Sequence, residues 1–213
     1  ESTAGELSSI DLLTCQPRAR QILVAEDKVQ LPRLYRTWHS PAANTREDAA
    51  LTVFGDALGS GKNSRLYKAL VYDKQIAQSA NAFQSASEIG GTFGIIVTAK
   101  PGHTLAEMNA VVDSILQDVL TNGVTATEVE KSLTGMEAGI INSLSTVLGK
   151  ATNLANYYSF TGDPGGINTQ MDLYKGMTPA EVLTVAKKYL TKPDVVLSMV
   201  PLGKSELAVQ NSH

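Results

Sequence analysis

Two capping boxes stand on either side of one glycine turn, and they fix the middle of this chain as two successive helices. Thr104 with Glu107, and Thr125 with Glu128, each put a threonine three positions before a glutamate. At that spacing the hydroxyl accepts from the third helical amide while the carboxylate reaches back to the cap amide. After the first box, Leu105, Met108, Val112, Ile115, Leu116 and Val119 recur at helical spacing on one face. Asn122-Gly123 closes that helix, and the second box opens another through Ser132, Met136 and Ile140. Gly135 and Gly139 lie inside it and predict a bend or a close packing contact.

The flanking sequence alternates between strand and helix patterns. Residues 21–25 and 33–39 are rich in branched and aromatic side chains and read as strands, the second ended by Pro41. A helix is expected from Asn44 or Thr45, with an Asn cap and Glu47 three residues on, and with Ala50, Val53, Phe54 and Ala57 at helical spacing. Gly59 and Gly61 are expected to stop it, and a second helix to cover residues 64–71. Residues 77–83 and 91–99 read as strands, followed by a Pro101-Gly102 turn. A helical stretch over 148–160 ends at Asp163-Pro-Gly-Gly166. Thr178-Pro-Ala-Glu181 combines a cap, a proline at the first helical position and an acid at the third. Val182, Val185, Ala186 and Tyr189 give that helix its buried face, and residues 194–200 form a last strand. Strands in adjacent pairs with helices grouped between them predict an α+β fold, a mostly antiparallel sheet with a layer of helices on one face. Residues 1–18 read as a linker and 19–213 as a single domain.

Composition excludes several partner classes. The chain has 213 residues, 43% hydrophobic and 18% charged, with a net charge of -3. That balance gives no electrostatic reason for nucleic acid or an anionic membrane as partner. Its apolar runs are too short to span a bilayer. The opening Glu1-Ser-Thr-Ala has neither Met nor an apolar stretch, which predicts a piece of a longer protein with any targeting signal upstream. Cys15 is the single cysteine, so no internal disulfide forms.

The chemistry-bearing patterns are incomplete. Gly59-Ser-Gly-Lys-Asn63 looks like a phosphate loop, but Asp56 stands where its first glycine belongs and Asn63 where Ser or Thr must reach a metal. It also follows a helix rather than a strand. A glycine-rich turn between helices, capped by Asn63 or Ser64, accounts for it, and Lys62 is then an exposed lysine. The histidines are His39, His103 and His213, and no two lie within one helical turn. Neither H-E-x-x-H nor H-x-x-E-H can therefore be written. A site built from His39, His103 and a distant carboxylate is the remaining metal alternative. Cys15 lies in the linker, and there is no G-x-S-x-G elbow.

Leu58-Gly-Ser-Gly61, Ser64-Arg-Leu-Tyr67, Ala99-Lys-Pro-Gly102 and Gly123-Val-Thr-Ala-Thr-Glu128 occur in that order, after Pro32-Arg-Leu-Tyr-Arg-Thr-Trp-His-Ser-Pro41. Together they resemble the second half of pitrilysin-type zinc peptidases, relatives of insulin-degrading enzyme and the mitochondrial processing peptidase. The resemblance implies a metallopeptidase half-domain of the LuxS/processing-peptidase-like type, one of several that close like a clamshell around a peptide. In that family one domain carries H-x-x-E-H and a downstream Glu, which hold zinc and activate its water. The opposing half often supplies an Arg and a Tyr seven residues apart. Here Val71 and Gln78 occupy those two positions. Val71 has no charge, and Gln78 donates a hydrogen bond but has no phenol. Neither is then expected to approach the metal.

The resemblance therefore implies a non-catalytic domain that forms part of a peptide-enclosing chamber and supports a zinc-bearing domain of the same or a partner chain. No catalytic or metal residue is assigned, and the substrate-binding residues are left open. Zinc is expected only in the parent's other domain, and this chain alone is predicted inactive. Family habit places the parent in a bacterial periplasm or cell envelope. The alternative is a structural, non-peptidase relative acting as an assembly subunit, and a nucleotide-binding domain is the third reading. Arg65 reads as a capping or pairing residue at a sheet-helix junction, and Tyr67 as packed with Leu70 and Val71. Tyr157 and Tyr158, near Phe160, read equally as cavity lining or core.

Overall fold

The computed structural model describes residues 17–168 and 170–210. The linker expected over residues 1–18, with Cys15, thus lies almost wholly outside the described residues, as does His213. Five strands, β1 (Gln21–Asp27), β2 (Arg33–Ser40), β3 (Ala77–Ala86), β4 (Gly91–Ala99) and β5 (Val195–Pro201), form a sheet of order β1-β5-β2-β4-β3. The β2/β4, β2/β5 and β3/β4 pairs are antiparallel, and β1/β5 is parallel. The sheet is mostly antiparallel, as expected. β3 and β4 form the hairpin their adjacency suggests. β1 and β2 do not pair, because β5 inserts between them. Arg20 and Asp194, just before β1 and β5, meet at 2.7 Å and set those two strands side by side.

Six α-helices accompany the sheet among the described residues: α1 (Arg46–Gly59), α2 (Arg65–Tyr67), α3 (Leu105–Asn122), α4 (Ala126–Ser143), α5 (Val147–Thr161) and α6 (Pro179–Leu190). Both expected capping boxes form, and Gly123 ends α3 with a φ of 81°. At α1 the cap is Thr45, whose hydroxyl accepts from the Asp48 amide at 3.1 Å. Asn44 instead takes a φ of 60°, and Glu47 leaves the helix end to bind Lys188 and Tyr189 of α6. The Asn44–Glu47 cap is corrected accordingly.

The glycines that end α1 act differently from one another. Gly59 is still helical, and a Cβ there would lie 1.9 Å from the Ala82 nitrogen on β3. Its role is to let the helix touch the strand. Gly61, with a φ of 77°, makes the turn. The helix expected over 64–71 is α-helical only at Arg65–Tyr67 and then widens into a π-turn over Lys68–Asp73. Gly135 and Gly139 face open space, so the close contact expected inside α4 is absent.

Burial alternates along β2: Leu34, Arg36, Trp38 and Ser40 are buried, while Arg33, Tyr35, Thr37 and His39 are not. This period of two puts one face of the sheet against helices and leaves the other uncovered. Phe93 anchors the covered side, its ring 5.8 Å from Phe54 and 6.2 Å edge-on to Trp38. α1, α3 and α6 pack on that face, while α4 rests on α1 and α5 chiefly on the 3-10 turn Pro164–Asn168.

Candidate functional site

The sheet face opposite the helices is left uncovered and offers a surface for a ligand. Its strand register gathers apolar side chains into one stripe: Leu23 beside Leu197, Leu197 beside Tyr35, and Tyr35 beside Ile96. Phe83 on β3 lies opposite Gly94, where a Cβ would come within 2.5 Å of the phenyl ring. The ring therefore needs that glycine to lie flat on the sheet. Leu23 and Phe83 remain 48% and 40% exposed, so the stripe is not a core.

A hollow indents each end of this face. One, of about 700 Å³, is lined by Thr37, His39, Thr92, Ile89 and Val195 among others. The other, of about 520 Å³, includes Arg33, Tyr35, Gln78, Thr98 and Met199. An apolar stripe with polar ends suits an extended chain, whose side chains need burial and whose main chain needs hydrogen bonds.

The residues singled out in the sequence are scattered by the fold. Val71 packs partly buried against the core, whereas Gln78 is exposed at an irregularity in β3 and lines the smaller hollow. His39 sits at the Gly91 end of β4, its Nδ1 3.1 Å from the Gly91 carbonyl. His103 follows the other end of the strand, 3.5 Å from Glu107. At about 3.4 Å per residue the length of β4 separates them by roughly 27 Å, so the joint His39–His103 metal site does not form. Among the described residues no group of three His, Cys, Asp or Glu could hold a metal. The residues present do not fit a zinc centre, and no step of zinc chemistry is assigned to them. The glycine-rich segment ends α1 at Gly59 and turns over residues 60–64 into α2, with Lys62 exposed.

Arg65 does pair, but at a junction of helices. Its guanidinium forks onto Glu128 at 2.9 and 2.8 Å and also donates to the Gly123 carbonyl at 3.1 Å. Leu66 and Leu70 enter the core in place of Tyr67, which is half-buried. Tyr158 is 64% exposed, whereas Tyr157 lines a hollow of about 270 Å³ with Asn44, Asn153 and Gln170. Neither tyrosine is core.

A buried ion network not expected from the sequence ties β2 to α3. Arg36, on the covered side of β2, donates to Asp194 at 2.9 and 2.7 Å and to Asp113 of α3 at 2.5 Å, and Arg20 joins both carboxylates. Burial alone would raise the Asp194 carboxyl, but Arg20 and Arg36 overcome it and hold the group below the usual carboxylate range. Arg36 also lies over the Trp38 ring at 5.0 Å. The signal was available: Leu34 and Trp38 alternate inward, and Arg36 shares their face.

The fold is an α+β domain with helices on one sheet face and an open apolar stripe on the other. Residues 1–136 match the family described as the peptidase M16 inactive domain, and the chain belongs to that family. It is 23% identical over 174 residues to the zinc protease PqqE of Helicobacter pylori, covering 82% of this chain and 39% of that protein. The fold matches a Helicobacter pylori protease with a TM-score of 0.78 at 20% identity, covering 86% of this chain and 44% of the other. It matches the peptidase M16 inactive domain from Pseudomonas fluorescens with a TM-score of 0.73 at 17% identity, covering 87% and 45%. The periplasmic protease PqqL of Escherichia coli follows with a TM-score of 0.69 at 16% identity, covering 87% and 21%. The chain thus spans less than half the length of each of these relatives.

Proposed function

We propose that this inactive domain forms one wall of a peptide-enclosing chamber and supports a zinc-bearing domain of the same or a partner chain. The observation that carries the reading is the uncovered apolar stripe of Leu23, Leu197, Tyr35, Ile96 and Phe83 on a sheet whose other face is buried under helices. A face of this kind gains by receiving extended peptide, because apolar area leaves water and polar ends remain to bind main chain. In this reading hydrolysis and zinc belong to the assembled parent, and peptide is its substrate. The periplasm is its proposed compartment, by likeness to PqqL.

The test is reconstitution. The zinc-bearing part of the parent is mixed with this chain, and hydrolysis of a quenched fluorescent peptide is followed. Cleavage is expected only when both parts are present, and a photoreactive peptide is expected to cross-link to the uncovered face. Equal cleavage without this chain, or cross-links confined to the helical side, overturns the reading. A parent that lacks H-x-x-E-H altogether favours the assembly-subunit alternative.

A further inference from the structure

Three departures from regular backbone follow one another into the smaller hollow. The chain leaves α2 through the π-turn at Lys68–Asp73, in which the Lys74 amide reaches back to the Ala69 carbonyl. Gln75 then takes a φ of 54°, rare for a residue with a Cβ. The β3/β4 register then slips, with Ala77 opposite Ala99 and Ser79 opposite Thr98, so that Gln78 is an extra residue. A bulge of this kind re-aims a side chain, and bulges and π-turns both concentrate beside functional sites. Ala77 is fully buried, and Gln78 is exposed on the edge of the hollow that Arg33 and Tyr35 also line.

Arg33 differs from four of the five other arginines among the described residues. Arg20, Arg36, Arg46 and Arg65 each pair with a carboxylate. Among the described residues no carboxylate lies within ion-pairing distance of Arg33, although Asp27 lines the same hollow. Its Nη1 donates to the Tyr35 hydroxyl at 3.3 Å, which orients the guanidinium and leaves other N–H groups of the fork for a ligand. Arg18 is also without a carboxylate partner, but it precedes β1 and lines none of the hollows described above.

We infer that Arg33, oriented by Tyr35 and flanked by Gln78, binds a carboxylate of an extended peptide lying on the uncovered sheet face. The inference rests on the chamber-wall reading and adds the charge of the ligand. A planar guanidinium with unused donors matches a carboxylate in shape and charge. Gln78, with both a donor and an acceptor, suits the adjacent peptide unit. The carboxylate is either the peptide's C-terminus or an Asp or Glu side chain.

Amide NMR titration of the 213-residue chain tests this with three neutral-bodied decapeptides: one with a free C-terminal carboxylate, one amidated, and one amidated with a central Glu. The expected result is about tenfold tighter binding of a carboxylate-bearing peptide than of the neutral one, a preference lost in Arg33→Gln and partly kept in Arg33→Lys. Whichever of the two charged peptides shows the preference identifies the source of the carboxylate. Arg33 is exposed, so both variants should keep the native spectrum, and Tyr35→Phe gives a second, milder perturbation. If all three peptides move the Leu197, Ile96 and Phe83 amides equally in the wild type and in Arg33→Gln, the carboxylate site is wrong and the chamber wall stands. If no peptide moves those amides, both fail.

Discussion

Arg65 and Glu128 are 63 residues apart in sequence and share a two-pronged ion pair of 2.9 and 2.8 Å. Glu128 is also the third helical residue of the α4 capping box, where its carboxylate accepts from the Thr125 amide at 2.7 Å. One carboxylate thus starts α4 and ties it to the segment after α1. The third bond of Arg65, to the Gly123 carbonyl, fixes the turn between α3 and α4. Two sequence motifs that look independent, Ser64-Arg-Leu-Tyr67 and Gly123-Val-Thr-Ala-Thr-Glu128, are the two sides of this contact.

The pair makes stability depend on acid. The Arg65 guanidinium, with the Thr125 groups, holds the Glu128 carboxyl at about 2, against an ordinary value of 4.5. A depressed folded value gives stabilisation that is complete above the unfolded value and is lost as pH falls toward the folded one. Arg65→Ala should cost about 2 kcal/mol at pH 7. Urea titrations should show that cost shrinking between about pH 4.5 and pH 2. A cost unchanged at pH 2 would mean that Arg65 acts through packing instead.

Asp194 should be far more sensitive than Asp113. Its side chain is 6% exposed and faces two guanidinium groups, whereas that of Asp113 is 42% exposed. Asp194→Ala strands Arg36 beneath the sheet and should cost about 3–5 kcal/mol. Asp113→Ala leaves Arg36 its main partner and should cost about 1 kcal/mol. Chemical denaturation of the two variants ranks them, and equal costs would show that the network is not centred on Asp194.

Four glycines separate contact, conformation and propensity. Gly59→Ala drives a Cβ into the β3 backbone and should destabilise by about 1–3 kcal/mol. Gly61→Ala meets no atom but must hold a φ of 77°, at a cost of about 1–2 kcal/mol. Gly135→Ala and Gly139→Ala lie in open helix and should each stabilise by about 1 kcal/mol. Thermal melts of the four variants test the ordering, and a destabilising Gly135→Ala would reveal a partner against α4.

The isolated chain should hold no zinc and hydrolyse no peptide. Elemental analysis after dialysis should find well under one zinc per chain, and one tightly held zinc would overturn this. Calorimetric titration with ATP should likewise give no binding heat, and Lys62→Ala should leave stability nearly unchanged. Saturable ATP binding that disappears in Lys62→Ala would restore the phosphate-loop reading.

Contacts that neighbouring residues settle among themselves are legible in the order of the chain. Thr104, Thr125 and Thr178 set helix starts because a cap is a bond between residues three apart, legible without the rest of the fold. The inward alternation of Leu34 and Trp38 likewise follows from strand geometry alone. At Thr45 the same local logic chose the neighbouring residue wrongly, because Glu47 is drawn to Lys188 and Tyr189, more than a hundred positions away. The place of β5 between β1 and β2 emerges only in the assembled sheet, since strand pairing joins residues through hydrogen bonds that sequence distance does not encode. The same holds for Arg33: its role depends on which carboxylates are absent around it and on a bulge that brings Gln78 alongside. A charge without a partner is a property of the assembled surface, and it emerges only once Arg20, Arg36, Arg46 and Arg65 have found theirs.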